Sequence, residues 1–172
     1  MSKSISIKPL IAEFIGTFAL IFVGVSSICV NAGLVCVALA HGLTIAVMIS
    51  ALGFISGGHF NPAVTFGVFL GKKIGLKETI VYIFAQLVGG VLGAICANQF
   101  LPVDMVQAAS LGTPMLAPGI SMGAGIGMEF ILTFFLVLVV YGTAVDSRAS
   151  KMGGLFIGLT VALDILAGGP IT

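Results

Sequence analysis

Charge is what this sequence has least of. Seven Lys or Arg and six Asp or Glu make up 8% of its 172 residues, against 59% hydrophobic ones. A soluble domain carries about a quarter charged residues. This chain has too few to coat a globular surface, so the composition specifies a polytopic membrane protein. Its net charge of +1 supplies no basic face for nucleic acid. Cysteine is scarce too. Cys29, Cys36 and Cys96 are odd in number, lie in apolar runs and show no paired spacing, so they read as small buried hydrophobes. The two histidines, His41 and His59, have no partners at metal-ligand spacing, so no metal is expected. No nucleophile triad or phosphate loop is present either, which argues against an enzyme and against any cofactor. The N-terminus, with Lys3 and Lys8 ahead of an apolar run, mimics a signal peptide but lacks a small-x-small cleavage site. Its run is also too long, and it reads as a first crossing helix.

What the chain has is long apolar runs. They cover 9–30, 34–55, 79–100, 121–142 and 153–172, each long enough to cross a bilayer. The stretch 101–119, with Pro102, Pro114 and Pro118, reads as a loop. Every basic residue falls on alternate connections: Lys3 and Lys8 before the first run, Lys72, Lys73 and Lys77 between the second and third, Arg148 and Lys151 between the fourth and fifth. The other connections carry none. That pattern places the N-terminus in the cytoplasm and 101–120 outside it.

One apolar run breaks into glycines and restarts, at Ile55-Ser56-Gly57-Gly58-His59-Phe60-Asn61-Pro62-Ala63-Val64-Thr65-Phe66. Asn is a preferred N-cap and Pro suits the first helical position, so Asn61-Pro62 marks a helix start. The helix can run only to Leu70 before Gly71-Lys72-Lys73. At 1.5 Å per residue, 61–70 covers about 15 Å, half of a bilayer core. A half-length helix preceded by bare glycine backbone is how a membrane protein presents polar groups to a water-filled path. The plainer alternative for Asn61 is an ordinary capped turn.

The chain also repeats itself. Residues 12–22 align with 128–138 at an offset of 116, keeping Glu13/Glu129 and Thr17/Thr133 among six identities in eleven. At the same offset Gly42-Leu43-Thr44 aligns with Gly158-Leu159-Thr160. A unit with three crossings must re-enter from the opposite face, so the repeat is inverted and its polar site lies between the halves. The expected division is a first repeat over 1–100, a connection over 101–120 and an incomplete second repeat over 121–172. The counterpart of Asn61 would fall at 177, beyond Thr172, so a second half-helix and a sixth crossing are expected to be missing.

These residues resemble the major intrinsic proteins, the aquaporins and aquaglyceroporins. Ser56 to Thr65 looks like that family's first Asn-Pro-Ala signature. The repeated Glu-x-x-x-Thr, Ala85-Gln86 with Gly89 and Gly93, and the terminal Ala167-Gly168-Gly169-Pro170-Ile171-Thr172 are similar as well. The resemblance implies an aquaporin-like bundle of five transmembrane helices plus one re-entrant half-helix, assembled as a homotetramer in a lipid bilayer. Each subunit would pass water and small neutral solutes and exclude ions and protons. Asn61, Pro62 and Ala63 would form the pore signature, and Gly57, Gly58, His59 and Phe60 would line the cytoplasmic half with carbonyls. Glu13 and Glu129 would brace the pore loops, although intramembrane carboxyls otherwise mark a proton or ion route. His41 and Ile165 resemble the constriction pair of the plant vacuolar-membrane aquaporins, several of which also pass ammonia, urea or peroxide. The alternative for His41 is a packed helix residue bonded to a neighbour. Asp164 has no reading beyond its depth in the fifth run. Gly89/Gly93 and Gly123/Gly127 have the spacing of helix-packing surfaces. Other functions stay open on the sequence: a glycerol facilitator, a non-conducting protein that assembles with complete subunits, or a secondary transporter.

Overall fold

The computed structural model describes residues 6–149 and 151–172, and they form helices and turns. Lys3, one of the basic residues flanking the first run, lies outside the described residues. Helix α1 spans Ile7–Cys29 and α2 spans Leu34–Ser56. The half-helix α3 is Pro62–Leu70, capped by Asn61, and α4 is Leu76–Phe100. A short α5, Val103–Ala108, and a single 3₁₀ turn, Ser110–Gly112, precede α6, Met122–Val140. A π turn, Tyr141–Val145, extends α6, and α7 is Gly153–Gly168.

Two boundaries differ from the sequence reading. The proline-bearing stretch 101–119 contains α5, which follows Pro102 and carries Asp104 in its first turn, where a negative charge suits the helix dipole. The fifth run ends as helix at Gly168, where Gly169 and Pro170 follow. Among the described residues four helices are long and apolar enough to cross alone, and the sixteen-residue α7 is a shorter apolar helix of about 24 Å.

The helices pack mainly as α1 against α4 and α2 against α7, with α1 against α2 joining the two pairs. The α2–α7 contact shows the symmetry of the repeat directly. A Cβ on Gly42 would lie 2.8 Å from the Ala162 Cβ, and one on Gly158 would lie 2.7 Å from the Ala46 Cβ. Ala46 and Ala162 are themselves 116 apart, so the two contacts are one contact made twice with the roles exchanged. Only a two-fold axis between antiparallel helices gives that reciprocity. The fold is an inverted-repeat helical bundle. On α4, a Cβ on Gly93 would lie 2.8 Å from the Phe18 carbonyl oxygen, and one on Gly89 would collide with that of Phe14. A Cβ on Gly123 or Gly127, by contrast, would meet nothing within 4 Å outside its own helix backbone among the described residues. Small-residue spacing permits close packing but does not say whether a helix lies opposite.

Of the three cysteines, Cys29 is buried, Cys96 half-buried and Cys36 exposed, and all are free. Cys36 therefore departs from the buried reading, because it lies in the first turn of α2, where few other elements reach.

Candidate functional site

The site is built around the N-terminus of α3. Asn61 leaves the helix with extended backbone, and its Oδ1 accepts from the Ala63 and Val64 N–H groups at 2.7 and 3.2 Å. The capping oxygen faces inward along the helix, so the Nδ2 amide is turned the other way. Among the described residues no protein group accepts from it, and Asn61 lines a cavity of about 280 Å³ in the bundle interior. Two positive partial charges therefore meet there: a free amide donor and the N-terminal end of the helix dipole.

The loop ahead of Asn61 holds a backbone that ordinary residues avoid. Gly57 and Gly58 take φ of 95° and 67°, where glycine alone is unstrained, and Phe60 takes 48°. A left-handed phenylalanine costs on the order of 1–3 kcal/mol and persists only where its surroundings over-determine it. They do so here. The Phe60 ring is buried and fills the space over Gly16, where any Cβ would collide. Its N–H donates to Glu13 Oε2 at 2.7 Å, and its carbonyl accepts from Thr17 Oγ1 at 3.1 Å.

Glu13 is the centre of this hold. It is 0% exposed, and its two oxygens accept four hydrogen bonds. Ser56 Oγ and the His59 N–H reach Oε1 at 2.6 and 3.0 Å, and the Phe60 N–H and Gln86 Nε2 reach Oε2, both at 2.7 Å. One carboxylate from α1 thus ties the loop to α2 and α4. Gln86 also donates to Thr65 Oγ1 at 2.8 Å, and Thr65 donates to the Asn61 carbonyl at 3.0 Å. Thr65 Oγ1 also lies 3.1 Å from His59 Nδ1, so the histidine ring joins the same network. Tyr82, whose hydroxyl donates to the Ser56 carbonyl at 3.0 Å, presents its ring edge-on to His59. The sequence reading missed Thr65 and Tyr82 as members of this network. Their contacts depend on α4 docking beside the loop, which no local spacing announces.

The central cavity brings together Asn61, Gly58, His59, His41, Ile165 and Glu129. Gly57 and Phe60 are not part of its wall. A second cavity, about 570 Å³, opens between the α1–α2 turn and the segment around Pro114. Four residues line both cavities: His41, Ile165, Gly169 and Thr172. His41 from α2 and Ile165 from α7 therefore stand where one space gives way to the other. His41 Nδ1 donates to the Val37 carbonyl at 2.8 Å, and its Nε2 lies against Gly24, which has no side chain to obstruct it. The histidine is thus both a bonded helix residue and part of that shared wall.

Glu129, the counterpart of Glu13, lines the cavity but makes no side-chain hydrogen bond among the described residues. The positions related to His59 and Phe60 by the repeat lie past Thr172. Asp164 is half-buried on the same wall. No group of three or more His, Cys, Asp or Glu that could hold a metal occurs among the described residues.

Comparison with known proteins gives this geometry a context. The chain is 41% identical to aquaporin TIP4-4 of Zea mays over 96% of its own length and 69% of that protein's. It is 40% identical to aquaporin AqpM of Methanothermobacter marburgensis, covering 90% of this chain and 73% of the relative. The X-ray structure of the aquaglyceroporin from Plasmodium falciparum superposes with a TM-score of 0.84 at 26% identity, over 96% of this chain and 74% of that one. The family model described as Major intrinsic protein matches residues 1–172, and the chain belongs to that family of membrane channel proteins, not to the enzymes.

Proposed function

We propose that this protein is a passive transmembrane channel for water and other small neutral solutes, with the path running through the central cavity past Asn61. The observation that carries this reading is the Asn61 amide at the positive end of α3, without a protein acceptor among the described residues and lining the central cavity. A water that accepts from that amide has its oxygen fixed and cannot relay a proton through the same point. A cation meets the positive end of the helix dipole there. Pro62 and Ala63 start the helix that aims the amide, and backbone groups at Gly58 and His59 continue the polar side of the path. Gly57 and Phe60 serve by fixing the loop, and Glu13 braces it. Glu129 is the corresponding brace for the second half.

His41 and Ile165 form the narrow point between the two cavities. One polar and one aliphatic wall there suit a neck that admits ammonia, peroxide or urea alongside water. The repeats are 1–100 and 121–172, joined by the extracytoplasmic segment 101–120. The placement of Lys8, Lys72, Lys73, Lys77, Arg148 and Lys151 on one side supports a cytoplasmic N-terminus. Assembly into a homotetramer within the bilayer is part of the same proposal.

Stopped-flow light scattering of proteoliposomes tests the reading. Osmotic shrinkage is expected to be faster than that of empty vesicles, with no change in an entrapped pH dye under a proton gradient. Shrinkage at the empty-vesicle rate with subunit assembly retained would contradict it and favour a non-conducting role beside complete subunits.

A further inference from the structure

The N-terminal end of α3 is held by groups from α1, α2 and α4, all in the first repeat. Its other end is held from the second repeat. Tyr141, at the junction of α6 and its π turn, donates its hydroxyl to the Gly67 carbonyl at 3.0 Å. That carbonyl already accepts the Gly71 N–H at 3.1 Å, so both of its lone pairs are engaged. The fit is one of shape as well as bonding. A Cβ on Gly71 would collide with the Tyr141 hydroxyl, and one on Gly67 would lie 3.0 Å from Val137 Cγ1. Val137 on α6 and Tyr141 just after it are four residues apart, as are Gly67 on α3 and its C-cap Gly71, so each pair lies on one face. A two-residue ridge seats in a two-glycine slot.

Two further features set this contact apart. The π turn begins at Tyr141, with the Asp146 N–H donating to its carbonyl at 3.0 Å. Such turns are uncommon and gather at functional sites. The repeat counterpart of Tyr141 is Val25, which has no hydroxyl, so this bond is not part of the duplicated frame. A nine-residue helix is a rigid rod about 14 Å long, so slack at its C-terminal end becomes tilt at Asn61.

We propose that Tyr141 is a positioning residue for the half-helix, setting from the second repeat the tilt at which α3 presents Asn61 to the cavity. Its effect on permeation rests on the channel reading above, whereas its effect on α3 does not.

The test is Tyr141→Phe in the full chain, read in two ways. Amide hydrogen exchange followed by mass spectrometry is expected to quicken about fivefold over residues 62–66, the far end of α3 from the substitution, with α4 unchanged. Gly71→Ala, which expels the hydroxyl from its slot, is expected to give the same pattern. Unchanged exchange at 62–66, or faster exchange confined to 67–71, overturns the proposal. In vesicles, the ratio of glycerol to water permeability is expected to shift in Tyr141→Phe, because fewer intact channels would scale both fluxes alike. An unchanged ratio in vesicles that conduct water overturns the permeation part. Wild-type vesicles without flux would contradict the channel reading, while the exchange result still decides the role of Tyr141.

Discussion

At the scale of single residues, one buried carboxylate decides most of the site. Glu13 accepts from four donors and has no access to solvent. In Glu13→Gln an NH₂ group replaces one acceptor and faces donors that it cannot satisfy. A cost of about 2–4 kcal/mol is expected, seen as a lower melting temperature in detergent. His41 lines both cavities and is the proposed neck residue. His41→Ala is expected to raise urea and glycerol flux relative to water in vesicles, because it removes a ring from the wall shared by both cavities. The exposed ion pair of Asp146 and Arg148 makes a contrasting case, at 2.7 Å. Hydrogen bonds from the Arg148 side chain hold the Asp146 carboxyl below its ordinary value. A carboxyl lowered by folding contributes stability above its unfolded pKa of about 3.9 and loses it as pH falls through the lower folded value. The melting temperatures of wild type and Asp146→Asn should therefore differ by a constant amount above pH 5 and converge only at more acid pH.

At the scale of elements, the reciprocal glycine contact between α2 and α7 makes its own prediction. Gly42→Val and Gly158→Val each drive a side chain into the opposite backbone. Each is expected to destabilise by about 1–3 kcal/mol or more, and by similar amounts, because the two-fold axis gives them the same surroundings. Circular-dichroism melts of the two variants check this. The half-helix itself was legible in the sequence, since Asn61-Pro62 fixes its start by local chemistry and Gly71-Lys72-Lys73 its end. So was the repeat, from two alignments at one offset. Thr65 and Tyr82 were not legible as partners of the pore loop, because their bonds form only after helices far apart in sequence have docked. Tyr141 escaped for the same reason, its partner Gly67 being 74 residues away.

At the scale of the whole molecule, two half-bundles enclose a space that neither could form alone. The first contributes Asn61, His59 and His41, and the second contributes Ile165, Glu129 and Asp164. The first half carries its own polar brace at Glu13, whereas the equivalent Glu129 faces the cavity. On the proposed function, water permeability rests on the end of α3 that the first half aims and on the wall that the second half provides. The most direct measurement is the osmotic shrinkage rate of proteoliposomes bearing wild type or Asn61→Leu at equal protein density. The account expects fast shrinkage with wild type and a fall to the empty-vesicle rate in the variant, with assembly retained. Equal rates for the two proteins, or a wild type no faster than bare lipid, would contradict it.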